Sequence, residues 1–135
     1  MSAKNILKFI KDKEAEFVDL RFTDPRGKLQ HLTMDSTVVD EDMLNNGVFF
    51  DGSSIAGWKA INESDMILKP DTSRFFLDPF TSHNTAVLFC DILDAVKKTP
   101  YERDPRGVAK KAEEYLKSSG VGDKAFFCPE PEFFV

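Results

Sequence analysis

The chain opens on a helical period. Ile6, Leu7 and Ile10 fall on one face of residues 3–16, while Lys8, Lys11, Asp12 and Lys13 occupy the rest, the spacing of an amphipathic helix. The period then changes to two. In FVDLRFTD, Val18, Leu20 and Phe22 alternate with polar residues, which predicts a strand with one buried face. Asp24-Pro25-Arg26-Gly27 supplies turn chemistry, because proline presets the dihedral at the second turn position and glycine suits the end. Alternation resumes in KLQHLTM, with Leu29, His31 and Thr33 on one side and Gln30 and Leu32 on the other. The two runs predict a β-hairpin.

Further along, residues 40–46 predict a short helix stopped at Asn46-Gly47. The stretch from Phe50 to Glu63 carries Gly52, Ser53, Ser54 and Gly57 without a sustained period, and predicts an exposed loop. Residues 65–68 and 74–77 predict short strands, and Thr85 to Ile92 a strand apolar enough to be buried on both faces. After Asp94 the composition turns polar with two prolines in AVKKTPYERDPRG. A domain boundary is expected there, dividing residues 1–98 from 99–135. Asp104 as N-cap and Pro105 at the first helical position predict a helix to about Ser118, with Val108, Ala112, Tyr115 and Leu116 inward and Gly120 as its stop. AFFCPEPEFFV predicts a last strand entering a new structure. Strands lead and helices are interspersed without strict alternation, so the class is α+β rather than doubly wound.

Composition narrows the field. With 135 residues, 41% hydrophobic and 30% charged, the chain has a globular profile. A net charge of -5 with scattered lysines argues against nucleic acid, whose binding rests on clustered positive charge, and against an anionic membrane surface. No apolar run approaches the roughly 18 residues of a membrane span. The charged beginning lacks a signal-peptide core, so a cytoplasmic location is expected. Cys90 and Cys128 sit in separate apolar stretches and are expected to be buried, reduced small hydrophobes. The phenylalanine pairs are expected in the core.

Two segments carry candidate chemistry. Glu130 and Glu132 lie at i and i+2 around Pro131; on a strand they would share a face roughly 7 Å apart, within reach of hard cations that take oxygen ligands. The alternative is a solvent-facing strand edge, and no third ligand is evident. In FFDGSSIAGW, Asp51 follows two phenylalanines and precedes Gly52. It could act as a base at the rim of an apolar pocket. Its spacing favours an Asx-type turn. Trp58 offers a flat face for a cation or a nucleotide. His31 and His83 lack ligand-spaced partners and read as structural or surface residues. Asp19, Arg21, Asp24 and Arg26 read as a solvated strand edge and turn.

Taken together, FVDLRFTDPRGKLQHLT, FDGSSIAGWKAINESDMILKPD, YERDPRGVAKKAEEYL and PEPEFF closely resemble the bacterial type I glutamine synthetases, in that family's order and spacing and over essentially the whole chain. The resemblance implies a β-grasp N-terminal domain followed by the first helix and strand of a catalytic domain. It implies a glutamate–ammonia ligase that uses ATP, glutamate and ammonium and passes through γ-glutamyl phosphate. It implies two Mg2+ or Mn2+ ions per site and a homo-oligomer, a dodecamer of two hexameric rings, with each active site between neighbouring subunits. By the same resemblance Asp51 binds ammonium and takes its proton, Ser54 and Asp65 border the ammonium region across the interface, and Trp58 belongs to the interfacial loop near the neighbour's nucleotide. Glu130 and Glu132 would be metal ligands, Glu132 for the ion nearer glutamate and Glu130 for the ion on the ATP phosphates. Ala56, Ala60, Cys128 and residues 95–100 depart from the family's pattern without touching these positions. The remaining machinery is expected beyond Val135, so the chain alone is expected to make no glutamine. Two alternatives are a short module that docks on a full synthetase and a related ligase joining glutamate to another amine.

Overall fold

A computed structural model describes residues 2–58 and 64–134. In chain order the elements are α1 (Ala3–Asp12), β1 (Phe17–Thr23), β2 (Leu29–Asp35), α2 (Glu41–Asn46), β3 (Val48–Asp51), β4 (Asp65–Leu77), β5 (Thr85–Asp94) and α3 (Pro105–Ser118). The strands form one sheet in the order β2-β1-β5-β4-β3. Only the central pair β1–β5 is parallel; the other three pairings are antiparallel.

The periodicities act locally much as read. Ile6 and Ile10 bury one face of α1. The helix stops at Asp12 rather than residue 16, because Glu14 takes a positive φ of 49° and turns the chain so that Ala15 is buried. The predicted hairpin forms, with Gly27 at φ 84° and its N–H donating to Asp24 O at 2.9 Å. Asp40 caps α2 by accepting from Met43 N at 2.7 Å, and Gly47 ends the helix at φ 86°. There a Cβ would lie 2.5 Å from Leu68 O, so close approach to β4 as well as the left-handed backbone demands glycine. Val18, Leu20, Leu44, Met66, Leu68, Leu88 and Ile92 form the centre of the core.

Several expectations are corrected. The two short strands at 65–68 and 74–77 are one strand, β4, whose register slips between Pro70 and Phe75; proline has no N–H for the ladder, and an irregularity there accommodates it. Asp19 and Asp24 are not solvated: each is 4% exposed. Asp19 lies on β1, flanked by β2 and β5, and Asp24 closes the hairpin by accepting from the Arg26 and Lys28 N–H groups. The segment from Phe50 is not a wholly exposed loop either: Phe50 lies in β3, and Gly52, Ile55 and Trp58 are buried.

Beyond β5 the chain stays on the sheet for a short distance. Tyr101 N donates to Ile92 O at 2.9 Å, and the buried Asp104 carboxylate accepts from Ile92 N at 3.2 Å while capping α3 through Arg106 N. α3 has no buried residue: Val108, Ala112 and Tyr115 are exposed and Leu116 is half-buried, so the expected inner face is largely uncovered by the described residues. The last segment makes no ladder. Phe126, Phe127, Phe133 and Phe134 are exposed rather than core, and Cys128 is exposed while Cys90 is buried. A strand needs a neighbour to pair with, and the described residues offer none to this one.

Candidate functional site at the end of the third strand

Among the described residues β3 is an edge strand, paired on one side only. Its register sets Val48 against Leu68, Phe49 against Ile67, Phe50 against Met66 and Asp51 against Asp65. Residues directly opposite on antiparallel strands share a face, with Cβ atoms about 5 Å apart, and like charges so placed oppose one another. Two exposed carboxylates, Asp51 and Asp65, therefore face the same solvent region where the strand ends.

Gly52 sets that end. Its N–H donates to Ser64 O at 2.7 Å. A Cβ there would lie 2.2 Å from Met66 Sδ and 2.8 Å from Met66 Cγ, so a side chain would push the turn off β4. The backbone then coils through residues 52–54 in a single 3-10 turn.

Asp51 caps this turn. One carboxylate oxygen, Oδ1, accepts from Ser53 N at 2.9 Å and from Ser53 Oγ at 2.7 Å. The Ser53 hydroxyl, its N–H and, less strongly, the Ser64 hydroxyl hold the Asp51 carboxyl below the usual carboxylate range. The Asx-type turn read from the spacing and an ionised acid at the rim are thus the same structure. Ser54 Oγ donates to Asp51 O at 2.7 Å, so its hydroxyl proton serves the turn and its lone pairs remain outward. The side chain that fixes Asp51 is Ser53, whose hydroxyl lies at the Asp-x-Ser offset of such a turn.

Trp58 is only 6% exposed. It stacks on Phe22 at 5.6 Å between centroids and meets Phe50 and Tyr101 edgewise at 6.0 and 5.9 Å. Its indole Nε1 is buried without a hydrogen-bond partner among the described residues. Within this chain Trp58 anchors the loop and does not present an open aromatic face. Ala60 lies outside the described residues.

Glu130 and Glu132 stand on the exposed terminal segment, away from any strand. Among the described residues no three His, Cys, Asp or Glu side chains come together as a metal site. The two glutamates have the hard oxygen donors that Mg2+ or Mn2+ prefer, but two carboxylates are far short of the six or so ligands such ions take. His31 contacts Asp19 and His83 contacts Glu16.

The fold matches a known one. The family model of the glutamine synthetase β-grasp domain matches residues 14–95. The chain belongs to that family. A glutamine synthetase of Rhizobium meliloti is 63% identical over 134 residues, which are 99% of this chain and 29% of that protein. A glutamine synthetase of Azorhizobium caulinodans is 59% identical over the same shares of both chains. Among solved structures, the electron cryomicroscopy structure of Plasmodium falciparum glutamine synthetase superposes with a TM-score of 0.78 at 27% identity, covering 89% of this chain and 23% of that one. The chain thus spans under a third of the length of the glutamine synthetases it matches, and the α+β reading with a β-grasp N-terminal domain is correct. Among the described residues no helix is long and apolar enough to cross a membrane.

Proposed function

We propose that this chain supplies the ammonium side of an active site in an ATP-dependent glutamate–ammonia ligase, at an interface between neighbouring subunits of a homo-oligomer of two hexameric rings in the cytoplasm. Residues 1–98 form its β-grasp domain and residues 99–135 begin the catalytic one. In the reaction the γ-carboxylate of glutamate takes the terminal phosphoryl group of ATP and releases ADP. Ammonia then attacks the acyl phosphate, a C–N bond forms, and phosphate leaves with glutamine as product.

Asp51 is the residue assigned to the amine. The observation that supports this is its placement opposite Asp65, which sets two carboxylates around one point of solvent. A monovalent cation relieves their repulsion, and ammonium is the cation the reaction uses. Ser54 adds hydroxyl lone pairs beside them. With its carboxyl held low by Ser53, Asp51 binds the cation well in water but is a weak base there. Covering the site by a neighbour raises the carboxylate's proton affinity and lowers that of ammonium, since burial disfavours both charged forms. Proton transfer to Asp51 then leaves neutral ammonia with the lone pair that attack requires. Trp58 holds the loop's far end close to the neighbour's nucleotide. Glu130 and Glu132 would join ligands from outside these residues in holding divalent ions, which supply charge neutralisation for the phosphoryl group.

The test is a chimaera in which residues 1–135 replace the matching segment of the Rhizobium meliloti relative. It should form glutamine from ATP, glutamate and ammonium. Asp51→Asn should lower that rate by about 100-fold or more, the scale of a lost general base. An Asp51→Asn chimaera as fast as its parent would rule this reading out, and so would glutamine formation by the 135-residue chain alone.

A further inference from the structure

The loop that carries Asp51 is held at both ends. At its start, β3 is laddered to β4 and Gly52 N is bonded to Ser64 O. From there hydrogen bonds run forward in steps of three, Ile55 N to Gly52 O at 3.2 Å and Trp58 N to Ile55 O at 3.2 Å. Any shift at Trp58 is passed along these turns to Gly52 and its neighbour Asp51.

At its far end the loop meets residues from another part of the chain. Arg103 Nη1 donates to Gly57 O at 3.0 Å, across 46 residues of sequence. Tyr101 closes one side of the aromatic cage around Trp58, with ring centroids 5.9 Å apart. These two residues are fixed in turn by β5. Tyr101 N donates to Ile92 O, and the Asp104 carboxylate accepts from Ile92 N. Both backbone groups of Ile92 are therefore engaged on either side of Arg103. The segment that leads from β5 into α3 is a bracket, rigid at both ends, that grips Gly57 and Trp58. Arg103 itself is exposed, so it adds little to the core; its guanidinium reaches out to one backbone carbonyl of the loop.

We propose that Arg103 and Tyr101 are positioning residues: they clasp the Gly57–Trp58 end of the loop and thereby hold Asp51 at the ammonium site. This rests on the assignment of Asp51 given above. A cation held by two carboxylates is sensitive to their placement, because catalysis from oriented groups falls steeply with displacement. The clasp also joins the amine site to the segment entering α3, so a movement of that segment reaches Asp51 through Gly57 and Trp58 without passing through the sheet.

The chain contains a single tryptophan, so its emission reports on the clasp directly. In the 135-residue chain, Arg103→Ala and Tyr101→Ala should each raise acrylamide quenching of Trp58 about twofold, with far-ultraviolet circular dichroism unchanged. Arg103→Lys, which can still donate to Gly57 O, should restore most of the protection. In the chimaera, Arg103→Ala should raise KM for ammonium about fivefold, the scale of one lost hydrogen bond. KM for ATP and glutamate should stay within twofold, and Arg103→Lys should recover most of the loss. Unaltered quenching in both alanine variants overturns the clasp whatever Asp51 does. Altered quenching with an unaltered ammonium KM, or an equal rise in all three KM values, overturns the positioning role. If instead Asp51→Asn proves fully active, the functional assignment falls with the positioning role, and the clasp is judged by quenching alone.

Discussion

Two carboxylates with the same direction of shift serve different ends. Asp51 is exposed and is kept ionised by Ser53. Asp19 is buried in the sheet. Burial pushes its carboxyl up, but hydrogen bonds from Arg21 at 2.7 Å, Thr33 at 2.7 Å and His31 at 2.8 Å outweigh that and leave it lowered. Arg21 is itself tied to Asp78, so the acid fastens β2, β1 and the turn after β4 together. A carboxylate whose folded pKa lies below its unfolded one stabilises fully above the unfolded value, about 3.9, and loses that contribution as pH falls through the folded value. Asp19→Asn should therefore cost about 1–3 kcal/mol at pH 7 and less at pH 3. Urea denaturation at the two pH values checks this, and an equal cost at both would contradict it. The sequence showed Asp19 only as the polar half of an alternating run. Its burial comes from β5 pairing on the far side of β1, a contact between residues some 70 positions apart, and no local pattern carries that information. The Asp51 turn was legible because its capping bonds, from Ser53 N and Oγ, come from a residue two places on.

At the level of elements the same division holds. α3 was predicted with both ends correct, because Asp104, Pro105 and Gly120 act within a few residues of themselves. Its packing was not, because apolar spacing states which face wants a partner and not whether one is there. The helix is held to the sheet by polar contacts at its first two turns. Arg106 bonds Asp91 at 2.8 Å and Asp71, and Lys110 also reaches Asp91. These pairs are partly exposed, and such pairs contribute within about 1 kcal/mol each and are screened by salt. α3 should therefore open independently of the sheet. Amide hydrogen exchange of residues 109–118 should be much faster than that of β5. Arg106→Ala or 1 M salt should speed it further while leaving β5 unchanged. Equal protection in α3 and β5 would mean that the helix is held by more than these pairs. β4 shows the opposite limit: its two halves were each visible as strands, but their continuity past Pro70 depends on β5 running alongside.

For the whole molecule the balance of buried and exposed apolar surface decides how it behaves in solution. The β-grasp sheet with α1 and α2 closes a core of its own, whereas Phe126, Phe127, Phe133 and Phe134 are 89%, 91%, 78% and 101% exposed within nine residues of one another. The phenylalanine pairs in FFCPEPEFF suggested burial, and the chemistry of that expectation is sound: these side chains favour leaving water by roughly 2 kcal/mol each. Inside this chain they have nothing to leave it for, so the same driving force acts between molecules. If contact between chains recovers half of it, about 4 kcal/mol, the dissociation constant is near 1 mM, after larger entropic costs have been met by additional backbone pairing along the segment. The 135-residue chain should then self-associate as its concentration is raised towards 1 mM. Replacing all four phenylalanines with serine should abolish association and leave Trp58 emission unchanged, since none of the four touches the Trp58 cage formed by Phe22, Phe50 and Tyr101. Sedimentation velocity across that range separates the outcomes. A single species of 15.3 kDa at every concentration would show that the segment finds cover within its own chain. Association that persists in the serine variant would move the sticky surface elsewhere, with the exposed apolar side of α3 as the next place to substitute.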